Sequence, residues 1–183
     1  MKEYKNTKRA IDKEIKQGQN RKEPYVINMN VSDDSDFLSK FSTSETPVIS
    51  REVAEFIEHS TPAIRKEEAL TLKIKSDCID ETEKVIYRSA VKEYYKERYI
   101  SNKRELMHDY VIAAILAVAG VLVLALAILV EYHSTIWSEV VDIVAWVFLW
   151  EAVYIAFLET RKHKLDNRKY IAYISMNIEY EDK

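Results

Sequence analysis

Residues 110–130 carry no charged side chain, being Ala, Val, Ile and Leu apart from Tyr110 and Gly120. As a helix rising about 1.5 Å per residue, such a run spans roughly 31 Å, the thickness of a bilayer's hydrocarbon core. A second apolar stretch follows at once, over 136–158. Two such runs with a short connection leave little choice of architecture: a two-helix transmembrane hairpin, with the polar remainder outside the bilayer. The first run begins after more than a hundred mostly polar residues, so insertion is expected to use the hairpin itself rather than a leader segment.

The net charge of −3 hides a strong segregation. Residues 1–23 hold eight Lys/Arg against four Asp/Glu, residues 24–91 eight against thirteen, and residues 110–160 no cation and five acids. Cations near short spans set orientation. Lys92, Lys96, Arg98, Lys103 and Arg104 precede the first span; Arg161, Lys162, Lys164, Arg168 and Lys169 follow the second; residues 131–137 between them have none. Both termini are therefore expected in the cytoplasm and the loop outside. Tyr110, Tyr132, Trp137 and Tyr154 fall near the expected interfaces, where aromatic side chains prefer to sit.

Several function classes are disfavoured. Gly18 and Gly120 are the only glycines, too few for a phosphate-cradling loop or a dinucleotide fingerprint. Cys78 is the only cysteine, which excludes an intramolecular disulfide and a cysteine-based zinc cluster. His59, His108, His133 and His163 show no metal-ligand spacing, and no metal or cofactor is expected. Asp33, Asp34 and Asp36 lack the spacing and glycine of a calcium loop and read as turn or cap residues. Asp77, Asp80 and Glu81 cluster at a helix start without a histidine, a Ser-His pair or a glycine loop, and capping explains them, so no catalytic residue is assigned. Nucleic acid is not an expected partner, because the domain behind the basic tail is acidic.

The polar part divides as follows. Residues 1–23 form a basic tail, either solvated or in contact with anionic lipid. Residues 24–107 form an α+β domain. Within it, 25–31 alternates as a strand, and 37–41 is expected as a short helix. Ser50 caps a helix whose apolar face is Val53, Phe56 and Ile57, and Thr61–Pro62 ends it. Residues 70–76 alternate again, with Leu70, Leu72 and Ile74 on one face. Asp80 and Glu83 resemble a capping box that opens a long helix from about 80, uninterrupted by Pro or Gly as far as residue 119. Residues 161–183 end in a strand over 174–180. Its Glu179 suits Lys73 and Lys75 as cross-strand neighbours, so it is expected to join the N-terminal sheet. The expected fold is α+β: a small cytosolic three-stranded sheet with helices, closed over the hairpin's cytosolic mouth.

The hairpin itself comprises helix 1 over 108–131, a loop over 132–137 and helix 2 over 138–160. Helix 1 carries a packing seam of Ala113, Ala117, Gly120, Leu124 and Ala127, open to helix 2 of the same chain or to another subunit. Helix 2 carries Asp142, Glu151 and Tyr154. Glu151 lies near the expected midplane with no cation in either span to pair with it. It reads as a neutral hydrogen-bonded packing residue, a pore or proton-path residue, or a residue brought to the interface by local thinning. Tyr154 is placed one turn away to donate to it. Asp142, Trp146 and Trp150 form a separate stripe.

The run Asp142-Ile-Val-Ala-Trp-Val-Phe-Leu-Trp-Glu-Ala-Val153 resembles a signature of uncharacterised bacterial two-span membrane proteins with a cytosolic N-terminal domain. Residues 70–76, the helix start at 79–84 and the Tyr94–Tyr95 pair are similar as well, so the resemblance covers about 25–180. It implies a multi-pass protein of the bacterial inner membrane and carries over no activity. The expected function is a non-enzymatic membrane module: a cytosolic domain that senses a small-molecule or protein trigger, coupled to a homo-oligomeric hairpin in the lipid bilayer. Two alternatives are a triggered pore-forming effector in stress or phage defence and an accessory subunit of a transporter or secretion complex.

Overall fold

A computed structural model describes residues 25–43, 45–61, 69–132 and 135–181, so the basic tail lies outside the described residues. The elements in chain order are β1 (Tyr25–Asn30), α1 (Arg51–His59), β2 (Leu70–Lys75), α2 (Glu81–Glu131), α3 (Thr135–Tyr154), a π-helical turn (Ile155–Glu159), α4 (Thr160–Ile174) and β3 (Asn177–Glu181). The chain forms two compact units, one of Met1–Ile100 with Asn167–Lys183 and one of Ser101–Asp166.

The first unit is α+β. Its sheet has the order β1-β2-β3, with both pairings parallel. Parallel neighbours need crossovers. The first crossover contains α1, and the second consists of residues 76–176, including both long apolar helices. The alternation read from sequence sets the faces: Ile27, Met29, Leu70, Leu72, Ile74 and Ile178 are buried, while Asn28, Asn30, Lys75, Glu179 and Glu181 are exposed. Glu179 pairs directly with Lys73, and Glu181 with Lys75, whose Nζ lies 3.5 Å from the carboxylate.

Helix starts follow local chemistry. The Val53 amide donates to Ser50 Oγ at 3.4 Å, opening α1. Asp80 and Glu83 form a reciprocal capping box: the Glu83 amide donates to Asp80 Oδ1 at 2.7 Å and the Asp80 amide to Glu83 Oε2 at 2.9 Å. From there α2 runs unbroken for 51 residues.

Three boundaries differ from the sequence reading. Residues 37–41 are not a helix; Leu38 forms an antiparallel bridge with Ile49, and the Ser50 amide donates to Phe37 O at 2.9 Å. Five residues recover too little to repay helix nucleation, whereas pairing with 48–50 satisfies the same backbone groups. Ile174 is the last residue of α4 rather than the first of a strand, and β3 begins at Asn177. Ile174 and Met176 are both buried as the alternation required, but they reach the core from a helix end and the bend after it. α3 begins at Thr135, so the connection between the long helices is shorter than the loop read from sequence. On α1, Ala54 and Ile57 are buried, while Phe56, expected on the apolar face, is 40% exposed.

Tyrosines dominate the helical side of the core. Tyr95 is fully buried, donates to Ala54 O at 3.4 Å and packs against Tyr173 with ring centroids 4.5 Å apart. Tyr87 stacks on Phe37 at 4.3 Å and donates to Asp34 Oδ2 at 2.9 Å. Tyr180 donates to Lys84 O at 3.1 Å, and Arg88 Nη2 donates to Ile178 O at 3.1 Å, which fastens β3 to α2.

Burial raises the ionisation of Tyr87, Tyr95, Tyr173 and Tyr180 above the usual 10.0, with Tyr180 pushed up to about 12. An acid whose neutral form is favoured in the fold contributes stability that is complete below its unfolded value and lost as pH rises through the folded one. The α+β unit should therefore hold its stability up to about pH 10 and lose it between there and about 12. Phenolate absorbance should rise together with loss of the unit's circular dichroism signal. Ionisation of all tyrosines near pH 10 with the fold intact would contradict the packing.

Candidate functional site in the apolar helix pair

The second unit pairs two helices that are each long and apolar enough to cross a membrane. Small residues recur at sevens on both: Ala113, Gly120 and Ala127 on α2; Ser138, Ala145 and Ala152 on α3. The antiparallel pairing sets 120 against 145 and 127 against 138, a constant sum. Ser138 Oγ donates to Ala127 O at 3.1 Å, and a Cβ on Gly120 would meet Ala145 O at 3.3 Å. Ala113, Ala127, Ala145 and Ala152 are all buried. A heptad spacing of small residues lets two backbones approach closely along a left-handed crossing.

A strict continuation of that spacing on the second helix would bring Glu159 into the seam. The π-helical turn at Ile155–Glu159 prevents this. It inserts one residue, leaves Glu159 exposed and moves Thr160 into the interior at 1% exposure, where its hydroxyl donates to Ala156 O at 2.6 Å. Such turns recur where a helix must re-aim its side chains.

One turn further, the second helix meets the first through polar groups. Asn102 Nδ2 donates to the His163 carbonyl at 2.7 Å, and His163 Nδ1 lies 2.6 Å from Asn102 Oδ1. His163 Nε2 is 3.3 Å from Asp109 Oδ2, and Glu105 Oε2 is 3.9 Å from Nδ1. The Lys164 ammonium lies 5.4 Å from the Tyr110 ring centroid. Asn102 is only 8% exposed. The sequence reading missed this cluster. The available signal was the placement of His163 just past one apolar run and Asp109 just before the other, because an antiparallel hairpin brings those flanks to the same level.

The residues singled out from sequence are dispersed. Of the helix 1 seam, Ala113, Gly120 and Ala127 are buried, Ala117 is half-buried and Leu124 is exposed. On α3, Asp142 is half-buried, while Glu151, Tyr154, Trp146 and Trp150 are exposed on the side away from the seam. Glu151 and Tyr154 share no hydrogen bond among the described residues. Among the described residues, then, no side chain is hydrogen-bonded to or ion-paired with the exposed Glu151 carboxylate. Among the described residues no group of His, Cys, Asp and Glu is arranged to hold a metal ion. No protein-family model, curated protein or solved structure matches the chain.

Proposed function

We propose that the chain is a non-enzymatic integral membrane module of the cytoplasmic membrane, with α2 and α3 crossing the bilayer and both termini in the cytoplasm. The α+β unit receives a small-molecule or protein trigger, and copies of the hairpin associate through the outer face of α3. One observation carries this reading. The uninterrupted helix α2 contributes Tyr87, Val91 and Tyr95 to the core of the α+β unit and Ala113, Gly120 and Ala127 to the apolar pair. In this reading the continuous helix is the path by which the two units are coupled. Oligomerisation is supported by the exposure of Glu151. A charged side chain at mid-bilayer costs on the order of 3 kcal/mol, and the intrachain seam is already occupied, so a neighbouring copy is the natural cover. The same exposed carboxylate favours, as a second reading, a hairpin that conducts ions or protons when triggered.

The test begins with orientation. A Ser134→Cys variant should react with an impermeant thiol reagent in intact cells. Cys78, exposed on the α+β unit, should react only after permeabilisation. Reaction of Cys78 alone in intact cells would reverse the topology. In lipid nanodiscs, light scattering should give more than one copy per particle. Glu151→Gln should preserve assembly in either reading and abolish ion flux in the conducting one. A strictly monomeric protein in nanodiscs would remove the association argument.

A further inference from the structure

We infer that the end of the helix pair marked by Asn102 and His163 is a docking surface for anionic phospholipid headgroups, carried by Arg104 on α2 and by Arg161 and Lys162 on α4. The inference rests on the reading of the pair as a membrane hairpin and names the lipid that the pair meets. The first argument is height. The Asn102 side chain donates to the His163 carbonyl at 2.7 Å, so these two residues lie at one level. Arg104 is two residues after Asn102 on one helix, and Arg161 is two residues before His163 on the antiparallel other. At about 1.5 Å per residue, both are displaced by about 3 Å in the same direction, toward the apolar runs. Cations from the two flanks thus share one level. Each also closes an exposed apolar face. Met107 and Val111, 60% and 51% exposed, follow Arg104 along α2 at helical spacing. Phe157 and Leu158, 71% and 59% exposed, precede Arg161 and Lys162 by one turn.

The charges at this end are available to a ligand. Arg104, Arg161 and Lys162 are exposed and, among the described residues, take part in no hydrogen bond or ion pair. By contrast, Arg51, Lys75, Lys84 and Lys96 of the α+β unit are ion-paired with Glu55, Glu181, Glu81 and Glu93. Of the nearby acids, Glu105 and Asp109 lie 3.9 and 3.3 Å from ring nitrogens of His163, which leaves Glu159 exposed on the outside against three cations. The opposite end of the pair has the opposite sign: Glu131 and Glu139 are exposed there, and residues 131–139 contain no Lys or Arg. A soluble anion would use the cations alone. An anionic lipid uses both parts of the surface, with its acyl chains along the exposed apolar side chains and its phosphate at the cations one turn beyond.

The experiment uses the full chain in vesicles that mix a phosphatidylcholine with a phosphatidylglycerol, one or the other brominated on its acyl chains. Trp146 and Trp150 are 63% and 68% exposed, so bromine in the adjoining lipid quenches them. The ratio of quenching by the two brominated lipids gives the relative occupancy of the lipid shell. At low salt the phosphatidylglycerol should be favoured about fivefold, the enrichment that one cation near an anionic surface supplies. The preference should fall toward one at about 1 M salt, where the screening length is about 3 Å. Arg104→Gln/Arg161→Gln/Lys162→Gln should remove it, while quenching by brominated phosphatidylcholine stays as in wild type and shows the hairpin still inserted. If the triple variant does not insert, Arg104→Gln and Arg161→Gln singly should each lower the preference. Lys75→Gln, whose cation is paired with Glu181 on the α+β unit, should leave it unchanged. Equal occupancy by the two lipids in wild type would overturn the site. So would a preference retained by the triple or both single variants, which would assign it to cations elsewhere, such as those of residues 1–23. Absence of quenching by either lipid would instead remove the bilayer reading, and the site with it.

Discussion

Replacing Gly120 with isoleucine should separate the two apolar helices. A single Cβ at this position would already lie 2.8 Å from Leu149 Cγ and Cδ2, and 3.3 Å from the Ala145 carbonyl oxygen. Leu149 would have to shift from its branch carbon outward, so Gly120→Ala should already carry a cost, smaller than that of Gly120→Ile. The branched isoleucine side chain adds three more carbons, and the Ala145 carbonyl, bound into its own helix, cannot move to admit them. Overpacking of this kind costs about 1–3 kcal/mol, and a close backbone crossing belongs at the upper end. Denaturant unfolding in nanodiscs, followed through Trp137, Trp146 and Trp150, should show Gly120→Ile well below wild type and Gly120→Ala between the two. Equal midpoints for all three proteins would show that the helices do not pack through this glycine.

The second large effect is expected from Met176→Asp. Met176 is 1% exposed, in the bend between α4 and β3, among core residues that include Leu72, Ile74 and Ile178. An aspartate there places a carboxylate in an apolar site with no partner, a mechanism that produces losses of about 4 kcal/mol or more. Small domains have only about 5–15 kcal/mol in total, so the α+β unit should be largely unfolded near its normal melting temperature. Asn177→Ser, one residue on, loses only an exposed hydrogen bond to Glu179 and should change stability by no more than about 0.5 kcal/mol. A wild-type melting profile for Met176→Asp would detach β3 from the core.

Much of the architecture is legible in the residues themselves, because it rests on local periodicity. The uncharged run at 110–130 sets the length of an apolar helix. The Asp80/Glu83 spacing sets where α2 begins, since a capping box needs only residues three apart. The alternation about Ile27, Leu72 and Ile178 sets which faces are buried, and the charges of Lys73 and Glu179 bring the C-terminal strand to β2. The same logic failed where periods compete. Residues 37–41 have too few positions to distinguish a helical turn from a bridge, and Ile174 fits equally the end of a helix and the start of a strand.

What only the tertiary structure decided are relations between residues distant in sequence. No local pattern distinguishes a parallel from an antiparallel β3, because its direction depends on how the chain returns along α4 after a crossover of about a hundred residues. Helix 1 shows small residues at 113, 117, 120 and 127, but the choice of 113, 120 and 127 as the buried row belongs to the partner helix, whose Ser138, Ala145 and Ala152 repeat at the same interval. The π-helical turn has no signal of its own; it arises because the seam must admit Thr160 and keep out Glu159. The cluster of Asn102, Asp109 and His163 joins residues about 60 positions apart that become neighbours only when the hairpin closes. Sequence determined which segments are helical and which faces are apolar, since neighbouring side chains settle those. Pairing, direction and the placement of polar groups were decided by packing, where the partner is as much a cause as the residue.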